Sequence, residues 1–234
     1  MLTKLKQFLA FTLAETLIVM GIIGVVAALT LPNLNSSTGD KEKVTKVKKI
    51  YQNLEDAFGR AQAVYGPISG WFDTSSGFKG TSTNMLERTS DYLKISKKCP
   101  VDSTQTDCFV ISGTDNNYQK DNSGSLILAD GTSIAFLFTY DVYRIWIDID
   151  GPNKGSNTLG NDIFYFTVNY DYGYVEPNRA SNFASYLSNL NSGGTRNTAS
   201  GWIIDFDNAD YLQFDSTGKC KNGTTPTETS PRCK

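Results

Sequence analysis

Residues 11–31, FTLAETLIVMGIIGVVAALTL, form an apolar run with a single charge, Glu15. Wound as a helix at 1.5 Å per residue, such a run is about 30 Å long, enough to cross the hydrocarbon core of a bilayer. A helix that is apolar on every side must be covered by lipid or by protein. That requirement limits the fold more than any other segment does. A carboxylate at the centre of a spanning helix costs roughly 2.5–3.5 kcal/mol. Glu15 lies one turn from the start, where the cost is smaller, and a cation would reduce it further. The ten residues ahead are basic, with Lys4 and Lys6 and no acid. The rival is a secretory signal peptide cut near Ala27 and Ala28, but its apolar stretch is usually ~7–15 residues and carries no acid.

Beyond this run the chain has the composition of a globular protein, with charged residues at 20% and abundant Tyr and Phe. Net charge is −2, so there is no basic field for a nucleic acid, and none is expected as a partner. Histidine is absent, which removes the commonest general base and the commonest zinc ligand together. No G-x-S-x-G elbow is present either. Together these point away from an enzyme. Cys99, Cys108, Cys220 and Cys233 contain no C-x-x-C. In an oxidising compartment they allow three pairings, and the sequence-local one, Cys99 with Cys108 and Cys220 with Cys233, is favoured.

Residues 33–40 are polar and turn-rich, which predicts a break. A second helix follows and stops at Gly66-Pro67. Val44, Val47, Tyr51, Leu54, Phe58, Ala61 and Tyr65 give it one apolar stripe, suited to packing on the chain's own sheet. Residues 68–82 read as loop and 82–95 as a short helix. Residues 125–129 and 132–140 flank Asp130-Gly131, a hairpin signal. Ile145, Ile147 and Ile149 alternate with Trp146, Asp148 and Asp150, predicting one buried and one polar face. Residues 163–168 read as a strand, 179–190 as a helix, 191–201 as a loop, and 202–206 and 211–214 as final strands. Short connections between strands imply an antiparallel sheet.

Ala10-Phe11-Thr12-Leu13-Ala14-Glu15, followed by the unbroken apolar run, resembles the prepilin peptidase site of type IV pilins and type II secretion pseudopilins. The resemblance implies cleavage between Ala10 and Phe11, N-methylation of Phe11, and polymerisation through the N-terminal helix. It also implies that Glu15 pairs with the amine of a neighbouring subunit. Pro32 falls where many pilins have a helix-breaking proline, and a kink is expected there. The family most often has Gly where Ala10 stands. The implied organisation is a leader at 1–10, a transmembrane and filament-core helix at 11–34, an amphipathic helix at 35–66, and a globular α+β domain at 67–234. The implied location is the inner membrane, single-pass, with the globular domain outside the cytoplasm. Implied partners are other pilin or pseudopilin subunits, prepilin peptidase, the inner-membrane assembly platform and membrane lipid. The tail between Cys220 and Cys233 resembles the disulfide-closed loop of many pilins. One signal disagrees: Lys41, Lys43, Lys46, Lys48 and Lys49 outnumber Lys4 and Lys6, which by the positive-inside rule would hold the domain in the cytoplasm. Two alternatives remain. One is a minor pilin with an adhesin-like binding role, and the other is a secreted enzyme or lectin behind an ordinary signal peptide.

One loop concentrates hard oxygen donors: Asp148, Asp150, Asn153 and Asp162, with Asn157 between them. Such donors suit Ca²⁺, although the spacing is not that of an EF-hand, and the same residues serve ordinary tight turns. Pseudopilins bind calcium in a loop of the globular domain, so the resemblance also implies calcium here. Asp148 and Asp150 as a glycosidase pair is disfavoured, because catalytic carboxylates face each other across a cleft. Tyr140, Tyr143, Trp146, Tyr170, Tyr172 and Tyr174 suit either core packing or a sugar- or protein-binding surface.

Overall fold

The structure, a computed structural model, describes residues 13–73, 75–99, 101, 108–112, 123–140 and 142–233, without the side chains of 27–38. The chain forms two compact units, Met1–Asp40 and Lys41–Lys234.

Helix α1 spans Leu13–Tyr65, 53 residues. It includes Pro32 and residues 33–40, so the break expected there is absent. A proline removes one hydrogen bond of the ladder, and propagation of an established helix outweighs weak local propensities. Among the described residues no helix is long and apolar enough to cross a membrane. This overturns the single-pass anchor expected over 11–34 and the inner-membrane location that went with it.

The second unit is α+β. Its sheet has six antiparallel strands in sequence order: β1 (Ile95–Cys99), β2 (Gly124–Leu128), β3 (Ser133–Thr139), β4 (Val142–Asp148), β5 (Ile163–Val168) and β6 (Val175–Pro177). The β2–β3 hairpin turns at Asp130-Gly131 as expected. Gly131 takes φ +91°, and Asp130 Oδ1 accepts from the Thr132 amide. On one face Val47, Leu54, Phe58 and Ala61 of α1 pack with Phe136, Ile145, Ile147 and Phe166 into the main core. Of the predicted stripe, Tyr51 is only partly buried and Tyr65 is exposed, while Ile50 and Ala57 join the buried side.

The opposite face of the sheet is covered as well, which sequence alternation did not predict. Residues 108–112, tethered by the Cys99–Cys108 disulfide, put Phe109 against Ala135, Leu137, Trp146 and Ile163. Trp146 and Asp148, expected on a polar face, are therefore fully buried.

Other elements depart from expectation where short apolar runs are ambiguous. Helix α2 is Gly77–Ser90, earlier than the expected 82–95 and inside the expected loop, and Ile68–Trp71 forms a 3₁₀ turn. The hydroxyls of Thr81, Ser82, Thr83 and Thr89 donate to carbonyls four residues back, which satisfies these side chains within the helix. Helix α3, Phe183–Leu190, lies within the expected 179–190 and is capped by Asn182, whose side chain accepts from the Ser185 amide. Residues 202–206, read as a strand, belong to helix α4, Ala199–Phe206, and Asp210–Gln213 is a 3₁₀ turn. A five-residue apolar run fits a buried strand or a buried helix equally. Here helix wins because Trp202 and Phe206, one turn apart, both meet the rings of Phe183 and Tyr186.

Candidate functional site

The first candidate is the start of α1. Ala10 and Phe11 lie outside the described residues, and so does the side chain of Pro32. Glu15 is exposed in the first turn, where the positive end of the helix dipole favours an acid. Around it Leu13, Leu17, Ile18, Val19, Met20, Ile22, Ile23, Val25 and Val26 are all more than half exposed. They occupy every side of the helix. A globular monomer rarely exposes so large an apolar surface without covering it with something. Fully covering one such side chain contributes about 1.5–3 kcal/mol. Nine together give on the order of 15–25 kcal/mol gross, more than the roughly 4–15 kcal/mol that association costs.

The second candidate is the loop after β4, built around three aspartates. Asp148, fully buried at the strand end, accepts at Oδ1 from the amides of Asp150 (3.2 Å) and Gly151 (2.9 Å). Asp150 lies within hydrogen-bonding reach of it, and burial followed by that contact pushes the Asp148 carboxyl up to about 7. Asp148 Oδ2 and Asp150 Oδ1 are buried and accept no hydrogen bond, and the same holds for Asn157 Oδ1. Burial beside Asp150 thus favours the protonated form of Asp148.

Asp162 does different work. Its Oδ2 accepts from the Ser156 and Asn157 amides and the Ser156 hydroxyl, and its Oδ1 accepts from the Thr158 amide. It therefore fixes the backbone of 156–158. Gly155 (φ +66°) sits where a Cβ would fall 2.3 Å from Asp162 Oδ2 and 2.8 Å from Asp150 Oδ2, so only glycine fits between the two carboxylates.

Of the four expected calcium ligands, Asp148 and Asp150 come together. Asp162 is engaged by loop amides and Asn153 is exposed. Asn157, which the sequence placed within this loop, donates from its side-chain nitrogen to the Pro152 carbonyl, and its Oδ1 is buried. No group of three acidic, histidine or cysteine side chains is placed to hold a metal among the described residues. The four residues are thus not gathered into one ligand set.

Both local disulfides are formed, Cys99–Cys108 and Cys220–Cys233, with Cα separations of 6.2 and 5.6 Å. No family model, curated protein or solved structure matches this chain. Its function has to be argued from its own residues.

Proposed function

We propose that the chain is the subunit of a pilus-like or pseudopilus-like filament, cut by a prepilin-type peptidase between Ala10 and Phe11 and polymerised through its N-terminal helix. The observation that carries this is the all-round apolar surface of residues 13–26, which gains most from packing against the same surface of other copies. The resemblance of residues 10–15 to the prepilin site supports the processing step and assigns Glu15 its role. The carboxylate would meet the Phe11 amine of an adjacent copy, and only one axial stagger allows that contact. A folded second unit with two disulfides suits a subunit that works in an oxidising environment.

The test is co-expression of the full chain with a prepilin peptidase, followed by intact mass and sedimentation with electron microscopy of the pellet. Loss of residues 1–10 and sedimentable filaments are expected. Ile18→Asp and Glu15→Ala should be cut normally and fail to sediment, with Glu15→Gln resembling Glu15→Ala. Unchanged mass with an active peptidase would refute the processing, and filaments from all three variants would refute the assembly mechanism.

A further inference from the structure

Apart from Val64, every exposed large hydrophobic side chain described in the Lys41–Lys234 unit is aromatic, and all of them cluster at one end of the sheet. Tyr65 ends α1, and Phe72 and Phe78 follow in the connection to α2 and its first turn. Tyr140 is the β3–β4 turn, and Tyr170, Tyr172 and Tyr174 belong to the β5–β6 turn. The two turns share an end because Tyr143 at the start of β4 pairs with Val168 at the end of β5. Gln62 joins α1 to this end by donating to the Gly173 carbonyl. At the opposite end, Lys49 pairs with Asp130 of the β2–β3 turn and Lys43 donates to Asn161 of the β4–β5 loop.

These rings form linked platforms. Tyr140 lies against Phe78 (6.0 Å between centroids), and Phe78 and Phe72 both meet buried Phe138 edge-on. Phe138 contacts Tyr143, and Tyr143 stacks on Tyr170 (6.1 Å, 19°). Tyr143 donates to the Ile68 carbonyl, which holds the array against the 3₁₀ turn. Tyr172 and Tyr174 stack as a second platform (6.1 Å, 21°). Tyr140 holds φ +50°, a backbone state tyrosine rarely adopts, and still presents its ring 73% exposed. Its contact with Phe78 leaves most of that ring open.

From this array we infer that the aromatic end of the sheet binds a neutral polysaccharide, its rings stacking on the C–H faces of successive hexoses and its phenols bonding their hydroxyls. Three features of the patch select that ligand. Aliphatic side chains, which an apolar peptide or an acyl chain would need as partners, are nearly absent. The guanidinium in contact with the rings, Arg88, is half-buried and already held over Tyr65 and Trp71 at 5.5 and 5.3 Å. The exposed rings lie on several connections and helix ends and form two stacked groups, which suits a chain of sugar rings better than one flat protein face. The inference does not depend on polymerisation.

The test is calorimetric titration of the full chain with hexameric β-1,4-glucan, α-1,6-glucan and β-1,4-mannan. Tyr140→Asn/Tyr172→Ala serves as the variant, because both rings are exposed and asparagine tolerates positive φ. At least one oligosaccharide should bind the wild type, and the variant should bind it about tenfold more weakly with unchanged melting. Three outcomes overturn the inference: no binding of any of the three, equal binding by the variant, or binding of phosphatidylglycerol vesicles that the double substitution abolishes while saccharides stay silent.

Discussion

Replacing Asp148 by asparagine should stabilise the protein above neutral pH. Asp148 titrates near 7 in the folded chain because it is buried beside Asp150, against about 3.9 for an unfolded aspartate. The folded state therefore holds this proton more tightly than the unfolded one. Its contribution is favourable while the acid stays protonated and is lost as pH rises from about 4 through 7. At about 1.4 kcal/mol per pH unit the loss is at most roughly 4 kcal/mol. Asparagine can keep the two bonds that Oδ1 accepts from the amides of Asp150 and Gly151, and its NH₂ can donate to Asp150 Oδ1, which now accepts nothing. Asp148→Asn should thus gain about 1–3 kcal/mol at pH 8 and almost nothing at pH 5. The assay is urea unfolding at both pH values, followed by the fluorescence of the buried tryptophans Trp71, Trp146 and Trp202. Glu55, also raised by burial, tilts the wild-type profile the same way, so the wild-type/variant difference is the decisive quantity. A variant less stable than wild type at pH 8, or a gain equal at both pH values, would refute the raised Asp148 carboxyl.

Phe109→Ala should cost about 3–5 kcal/mol, because it opens the outer layer over Trp146; urea unfolding gives the value, and a red shift of native fluorescence should accompany it. A cost under 1 kcal/mol would mean that residues 108–112 do not cover the sheet. Replacing Cys220 and Cys233 together by serine should lower stability by about 2–4 kcal/mol, because the link closes a loop on the core through buried Cys220. Equal unfolding midpoints for the parent and the double variant would contradict this.

Patterns that repeat over several turns or strands were legible in the sequence. The stripe of Val47, Leu54, Phe58 and Ala61 specified which side of α1 is buried, since a 3.6-residue period has one solution. Asp130-Gly131 specified a hairpin, because few dipeptides accept its turn. The two cysteine pairs were legible by proximity along the chain. The acidic loop could be located but not interpreted: the same residue types ligate ions and close turns. Only backbone amides arriving from 156–158 turn Asp162 into a loop clamp, and only burial beside Asp150 raises the Asp148 carboxyl.

What the sequence alone determined is therefore local: the side α1 buries, the hairpin, and an apolar N-terminal run that some other surface must cover. The tertiary structure decided what depends on distant segments. It placed Phe109 over Trp146, so that both faces of the sheet are dry, and made Trp202–Phe206 a helix by giving those rings Phe183 and Tyr186 to meet. It also gathered seven exposed aromatic rings from three connections and their flanking helix ends onto one end of the sheet. Burial and pairing are properties of what packs against a residue, and a one-dimensional pattern records a partner only when that partner lies within a turn or a hairpin.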